Sequence, residues 1–206
     1  MTVRITAPPA DPSPTPAPAF TFPNPHCNCF PGATVWLTGL PSAGKSTIAR
    51  ATATLLRQRG RRAEVLDGDE MRRTLTSGLG YSPRDRQRNV ERIGRVAEVL
   101  SRNGVTALVP VIAPYAHVRD LVRSWHESSR TAFLEIHVAA PVEVCAERDV
   151  KGLYARREAG EISGLTGVDA PYEEPVAPDL RIRSHDEPVE RSAAAVLNLL
   201  AERGLA

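Results

Sequence analysis

The sequence has no apolar run that approaches the length of a membrane-spanning helix. Such a helix needs roughly 20 consecutive apolar residues. The N-terminus also has no apolar stretch behind its single Arg4, so it does not resemble a secretory signal. These absences argue against membrane insertion and secretion.

Cysteine is scarce, with three residues at Cys27, Cys29 and Cys145. So few thiols cannot form a disulfide framework, which favours a reducing, cytoplasmic location. His26, Cys27 and Cys29 could be read as half of a zinc site. A structural zinc site needs four ligands and no second cluster follows, so we favour incidental thiols in a tail.

A charge excess of either sign is missing as well. The 26 basic and 24 acidic residues are spread along the chain and leave a formal net charge of +2. Without a strong overall field, the protein is not expected to bind nucleic acid or a membrane surface. An anionic ligand must therefore be held by local groups.

The composition of the chain is sufficient for one folded domain. It has 206 residues, 42% of them hydrophobic, which suits a single core. Residues 1–31 hold nine of the 18 prolines, and we expect a disordered extension there, with a docking segment as the alternative. Residues 32–206 are predicted to form the folded domain.

From residue 34 onwards, short apolar runs alternate with segments of helical periodicity. This alternation predicts an α/β fold with a doubly wound parallel sheet and helices on both faces. Pro110 in the third run should mark an edge, a bulge or a strand end, because proline donates no ladder hydrogen bond. The predicted strands are 34–38, 63–66, 106–112, 133–138 and 180–183, and the predicted helices include 46–59, one that Ser82 caps and Asn103 ends, and 189–203.

The segment Gly39-Leu40-Pro41-Ser42-Ala43-Gly44-Lys45-Ser46 fits the P-loop pattern G-x-x-x-x-G-K-[ST] between a predicted strand and a predicted helix. Glycines let backbone N–H groups wrap around phosphate, and the helix N-terminus adds its positive dipole end. Lys45 can reach the β- and γ-phosphates of ATP, and the Ser46 hydroxyl can join a magnesium shell. The Asn-Lys-x-Asp segment with which GTPases read guanine is absent.

Two acids, Asp67 and Asp69, follow the second predicted strand. Ligands gather at the carboxyl ends of strands in open α/β sheets. One carboxylate could hold magnesium through water while the other orients or deprotonates an acceptor hydroxyl. A helix cap plus a solvated acid explains the same pair equally well.

Several motifs in one order carry a family resemblance. The chain resembles the adenylylsulfate (APS) kinase family in Gly39 to Thr47, in Leu66-Asp67-Gly68-Asp69, in Leu79-Gly80-Tyr81-Ser82 with Asp85-Arg86 and Asn89, in Arg148-Asp149-Val150-Lys151-Gly152-Leu153-Tyr154, and in Ala159 to Gly167. The match covers nearly all of residues 32–206, and these motifs together are far more specific than any one of them.

The resemblance implies a P-loop kinase that transfers the γ-phosphate of ATP to the 3′-hydroxyl of APS, giving 3′-phosphoadenylylsulfate (PAPS) and ADP in sulfate assimilation. Mg²⁺ would accompany ATP. A homodimer is possible, because the family tends to form dimers. Two alternatives stay open. One is a related kinase that acts on another nucleotide or small hydroxyl compound, and the other is a catalytically weak ATP-binding module.

The resemblance also implies roles for individual residues. Lys45, Asp67 and Asp69 would be catalytic, and Ser46 and Asp67 would hold magnesium. Residues 151–172 would form a mobile lid that excludes water. The residues implied to contact ATP are Gly39, Ser42, Ala43, Gly44, Lys45, Ser46, Thr47 and Arg148. Those implied to contact the acceptor are Asp67, Asp69, Arg72, Tyr81, Arg86, Asn89, Ile112, Ala113, Lys151, Gly164 and Leu165.

Three positions depart from the family. Ala113 replaces a serine that can carry phosphate, so no phosphoserine can form there and direct transfer is expected. Leu165 replaces the usual phenylalanine at the acceptor adenine, which should weaken stacking by about 0.5–1.5 kcal/mol and favours a related acceptor. Ser42 replaces a loop glycine.

Other conspicuous side chains are given structural or surface positions. His137 is expected within a strand, and His117 and His126 are expected at the surface. Cys145 and Trp36 are expected in the core. The other arginines of the helix that follows Ser82 are expected on a solvated face: Arg84, Arg88, Arg92 and Arg95.

Overall fold

The computed structural model describes residues 31–206. Residues 1–30 of the predicted proline-rich extension, which include His26, Cys27 and Cys29, lie outside the described residues. None of the described helices is long and apolar enough to cross a membrane.

The fold is a five-stranded parallel sheet between helices, with strand order β2-β3-β1-β4-β5. The predicted fold class is confirmed, and strand bounds differ from those predicted by one or two residues. The strands are β1 (Ala33–Thr38), β2 (Ala63–Val65), β3 (Thr106–Pro110), β4 (Ala132–Val138) and β5 (Leu180–Ile182). The helices are α1 (Lys45–Gln58), α2 (Gly68–Arg73), α3 (Pro83–Arg102), α4 (Ala116–Ser128), α5 (Val142–Arg148), α6 (Leu153–Glu158) and α7 (Val189–Glu202).

The central strand β1 shows why helices cover both faces of the sheet. Successive side chains of a strand point to opposite faces. Val35 and Leu37 pack with α1 and α7, whereas Trp36 packs with α3 and α4, and all three side chains are fully buried. A strand that is apolar on both sides must be covered on both sides.

Helix α3 begins as its sequence predicts. The Ser82 hydroxyl accepts a hydrogen bond from the Asp85 N–H at 3.1 Å, and Pro83 takes the first helical position, where no N–H is needed. The helix ends at Asn103, as predicted. Because the helix starts at Pro83, the positions of Arg86 and Asn89 along it are fixed.

Pro110 is the last residue of β3, so its expected position at a strand end is confirmed. The Val111 N–H donates to the Leu37 oxygen at 3.0 Å, and the Leu66 N–H donates to the Leu108 oxygen at 2.9 Å. Because alternate residues of a parallel strand bond to opposite neighbours, Pro110 faces the β2 side, where β2 has already ended. Its missing N–H breaks no ladder bond.

The prediction that His126 lies at the surface is wrong. His126 is fully buried, its Nδ1 donates to the Val122 oxygen at 2.8 Å, and its Nε2 accepts from the Thr34 hydroxyl at 2.8 Å. The residue is four positions after Val122, so it shares the buried stripe of α4. That spacing is the signal that could have located it.

The other structural assignments are confirmed. His137 is buried within β4, Trp36 and Cys145 are in the core, and His117 is exposed. Arg84, Arg88, Arg92 and Arg95 are exposed on α3, and the Arg95 guanidinium lies 3.7 Å over the Trp125 ring.

Candidate functional site

The phosphate-binding loop, residues 39–46, joins β1 to α1. A Cβ at Gly39 would lie 2.4 Å from the Val138 oxygen, so only glycine lets the loop leave β1 so close to β4. Gly44 has φ 98°, and Ser42 has φ 62°. The left-handed conformation at Ser42 explains why the family has glycine there, since a side chain is disfavoured in that region.

Lys45 opens α1 and folds back over the loop. Its Nζ donates to the Gly39 oxygen at 2.9 Å and to the Leu40 oxygen at 2.6 Å. Burial lowers the pKa of Lys45 to about 8, because a charged amine is poorly solvated there. An anion placed in the loop would favour the charged form and give Nζ a better partner than the two carbonyls.

Asp67 lies at the carboxyl end of β2 and caps α2. Its Oδ1 accepts from the Asp69 N–H at 3.0 Å, and its Oδ2 lies 3.3 Å from the Arg50 guanidinium. Burial raises the pKa of Asp67, but hydrogen bonds from the Ser46 hydroxyl and the Asp69 amide, together with Arg50, outweigh burial and lower it. Asp67 therefore caps α2, as one of the two interpretations of the sequence predicts. The same carboxylate also lies beside the Ser46 hydroxyl.

Asp69 is exposed, in contrast to the buried Asp67. Its carboxylate forms an ion pair with the Lys151 ammonium, from the segment before α6. This contact brings residues far apart in sequence to the edge of the phosphate-binding loop.

Arg72, on α2, and Tyr81, which precedes α3, form a second part of the site. The Arg72 guanidinium lies 4.5 Å over the Tyr81 ring and donates to the Gly80 oxygen at 3.0 Å. Tyr81 remains 71% exposed. An aromatic face that is this exposed is available for stacking by a ligand.

Arg86 ties α3 to the glycine-rich segment that follows α6. Its Nε donates to the backbone carbonyl oxygen of Tyr81 at 2.8 Å. Its terminal nitrogens donate to the backbone carbonyl oxygen of Gly164 and to the Thr166 hydroxyl. An anion would have to compete with these partners for the guanidinium. Three residues further on, Asn89 is buried, and its Oδ1 accepts from the Thr76 hydroxyl at 2.7 Å.

The predicted lid, residues 151–172, packs against the phosphate-binding loop. The Tyr154 hydroxyl donates to the Pro41 oxygen at 3.2 Å, and a Cβ at Gly167 would lie 2.3 Å from a methyl of Leu40. Within the segment, the side chains of Leu165 and Thr166 are buried. The segment therefore contacts the phosphate-binding loop, whereas its role as a mobile lid stays a prediction.

A cavity of about 680 Å³ unites these parts. Gly39 and Ala43 lie outside its lining, and Arg148 lies beside the loop, where its Nη2 donates to the Ser184 oxygen at 2.9 Å. The predicted residues that line the cavity are Ser42, Gly44, Lys45, Ser46, Thr47, Asp67, Asp69, Arg72, Tyr81, Arg86, Asn89, Ile112, Ala113, Lys151, Gly164 and Leu165.

Sequence reasoning missed some residues at this cavity. Val150, Arg156, Ile162 and Thr166 also line it, and their place in or next to the predicted lid was the available signal. Arg50, which pairs with Asp67, had no signal beyond its place on α1.

Few of the described side chains in this cavity could act as metal ligands. Within residues 31–206, the structure brings together no three His, Cys, Asp or Glu side chains that could hold a metal ion. A hydroxyl and a carboxylate, from Ser46 and Asp67, do lie side by side. Mg²⁺ prefers oxygen ligands and commonly binds through one or two protein groups plus substrate phosphates, so the two groups fit this ion.

Comparisons with known proteins identify the family of the chain. The family model described as adenylylsulphate kinase matches residues 31–183. The adenylyl-sulfate kinase of Rippkaea orientalis is 49% identical over 173 residues, which are 84% of this chain and 93% of that protein.

Solved structures point to the same family. The Mycobacterium tuberculosis APS kinase in complex with AMPPNP and APS has a TM-score of 0.80 and 42% identity, covering 82% of this chain and 98% of that one. The hexameric APS kinase from Thiobacillus denitrificans has a TM-score of 0.65 and 34% identity, covering 86% of this chain and 30% of that one. On these matches and on the geometry of its phosphate-binding loop, the chain belongs to the adenylylsulphate kinase family.

Proposed function

We propose that the protein transfers the γ-phosphate of ATP to the 3′-hydroxyl of APS, giving PAPS and ADP. The observation that carries the proposal is the shared cavity. Lys45 and Ser46 of the phosphate-binding loop, the acids Asp67 and Asp69, and the exposed ring of Tyr81 all line it. A donor triphosphate and an acceptor nucleotide can therefore bind side by side in one cavity.

On the donor side, the backbone N–H groups of residues 39–46 and the N-terminus of α1 hold the phosphates. Lys45 exchanges its two carbonyl partners for the β- and γ-phosphates, which neutralises charge that develops during transfer. Ser46 and Asp67 would hold Mg²⁺, which supplies further charge neutralisation on the phosphate oxygens when bound.

On the acceptor side, Asp69 orients the 3′-hydroxyl and accepts its proton. The hydroxyl oxygen forms a bond to the γ-phosphorus, and the bond from that phosphorus to the bridging oxygen of ADP breaks. Tyr81 stacks on the acceptor base, and Arg72 and Arg86 supply cations for the phosphosulfate.

The transfer is direct because Ala113 offers no hydroxyl that could carry phosphate. Ala113 lines the cavity at the position of the family's serine. In-line transfer needs only positioning and charge neutralisation. An enzyme that lacks this serine is therefore expected to turn over without a phosphoprotein intermediate.

We also assign residues 151–172 as a lid that closes over both nucleotides and excludes water, which would otherwise accept the phosphoryl group. The anchors of the segment support this role, since Tyr154 bonds to the phosphate-binding loop and Arg86 bonds to Gly164 and Thr166. Residues 32–206 form the catalytic domain, so a protein without residues 1–31 should keep its turnover. A homodimer and a cytoplasmic location stay predictions.

A related acceptor is the second candidate, and Leu165 favours it. This leucine lines the cavity where the family has an aromatic face for the acceptor adenine. A smaller aliphatic contact discriminates less strongly for a flat base.

Incubation with ATP, Mg²⁺ and APS tests the proposal, with ADP release and the 3′-phosphorylated product both measured. Turnover with APS supports it. Turnover only with other nucleotides or hydroxyl compounds would establish the second candidate, and ATP binding without transfer to any acceptor would reduce the protein to a binding module. The Lys45→Ala variant is the control for activity from a contaminating kinase.

A further inference from the structure

The loop after β3, residues 111–115, forms one wall of the cavity in an unusual conformation. Val111, Ile112, Ala113 and Pro114 all line the cavity. Ala113 has φ 43°, in the left-handed region that residues with a side chain avoid. A non-glycine residue keeps such a conformation only where its surroundings impose it.

Three hydrogen bonds impose the conformation by holding three successive carbonyls. The Thr38 hydroxyl donates to the Ile112 oxygen at 2.5 Å, and the Glu173 N–H donates to the Pro114 oxygen at 2.9 Å. Between them, the Arg119 Nη1 donates to the Ala113 oxygen at 2.8 Å. Arg119 is thus the side chain that acts on the left-handed residue itself.

Arg119 is held in place for this contact. Its side chain is 3% exposed, and its Nε lies 2.7 Å from Oε1 of Glu135 on β4. Arg123, one turn further along α4, approaches the other oxygen of the same carboxylate at 3.2 Å. A buried guanidinium is expensive to desolvate, so a residue that also fixes the cavity wall has a reason to be there beyond stability.

We propose that Arg119 is a positioning residue for the acceptor: by holding the Ala113 carbonyl, it keeps the cavity wall at residues 111–115 in the shape that the acceptor nucleotide requires. The inference rests on the proposed function. Arg119 does not line the cavity, so its effect on the acceptor passes through Ala113.

Arg123 provides a matched control, because it is also an arginine of α4 and also pairs with Glu135. Its further partners are the Phe133 oxygen and Asp179, both away from the cavity wall. Arg119→Met and Arg123→Met should both lower the melting temperature. Only Arg119→Met should raise KM for APS, by about tenfold, with KM for ATP near the wild-type value.

A second site tests the mechanism. Glycine adopts the left-handed region without penalty, so Ala113→Gly in the Arg119→Met background should bring KM for APS back towards wild type. A purely structural role of Arg119 predicts no such rescue. Should Arg119→Met fail to fold, Arg119→Lys, which keeps the charge beside Glu135 but loses the forked donor, should show a smaller rise in the same constant.

The outcomes separate the two proposals. Wild-type turnover with APS, combined with equal KM values for APS in the Arg119 and Arg123 variants, would overturn the positioning role and leave the proposed function standing. Absence of wild-type turnover with APS would overturn the proposed function, and the positioning role with it.

Discussion

The donor and acceptor sides of the cavity are built in different ways. The donor side is one continuous segment, residues 39–46, whose shape follows from its own glycines and from the start of α1. The acceptor side is assembled from α2, α3, the loop after β3 and the lid. Side chains join these segments across the chain, as in the pairs Lys151 with Asp69 and Arg86 with Thr166. Acceptor binding should therefore be the side that is more sensitive to distant substitutions.

The largest effect is expected from Lys45→Ala, which tests the donor side. Loss of the only side-chain charge within residues 39–46 should lower kcat by roughly 100-fold or more. Steady-state turnover with APS measures the loss, and thermal unfolding shows whether the variant is folded. Unchanged turnover in a folded variant would contradict the role of Lys45.

Arg86→Ala tests whether the acceptor side depends on contacts between segments. Because Arg86 holds Gly164 and Thr166, its loss should raise KM for APS by about tenfold or more, with a smaller effect on KM for ATP. Amide hydrogen exchange at residues 163–167 should also become faster.

The control for this variant is Arg88→Ala, on the same helix but exposed. It should change neither KM for APS nor exchange in the lid. If both variants behaved alike, loss of charge on α3 rather than release of the lid would explain the result.

Leu165→Phe sharpens the question of the acceptor. A restored aromatic face should lower KM for APS about threefold to tenfold if the acceptor adenine lies there. The comparison of KM for APS with KM for ATP isolates the effect, because the donor side does not involve this residue. An unchanged or raised KM for APS would favour a related acceptor and would strengthen the second candidate function.

The difference between the donor and acceptor sides also explains which parts of the site the sequence could predict. The loop at residues 39–46 and the cap at Ser82 were predictable because local backbone preferences determine them. The left-handed Ala113 and its hold by Arg119 were not, because they depend on the register between β3, α4 and β4. The residues that line the acceptor side were named from a family resemblance, whereas their partners, such as Thr76 for Asn89, follow only from tertiary packing.

The smallest effect concerns β1, the strand that carries the phosphate-binding loop, and the buried His126 beside it. Burial lowers the pKa of His126 in the folded protein, whereas the unfolded chain binds the proton near pH 6.5. The unfolded state therefore takes up more protons below about pH 6.5, so the free energy of unfolding should fall there. Urea unfolding should show a fall in the free energy of unfolding as the pH drops through about 6.5, and this fall should be smaller in His126→Asn. Other titrating groups, such as His137, are present in both proteins and cancel.

Equal pH dependence of the free energy of unfolding in the two proteins would contradict the buried neutral state of His126. Turnover of His126→Asn at neutral pH should stay close to that of the wild type, because the phosphate-binding loop is shaped by its own backbone.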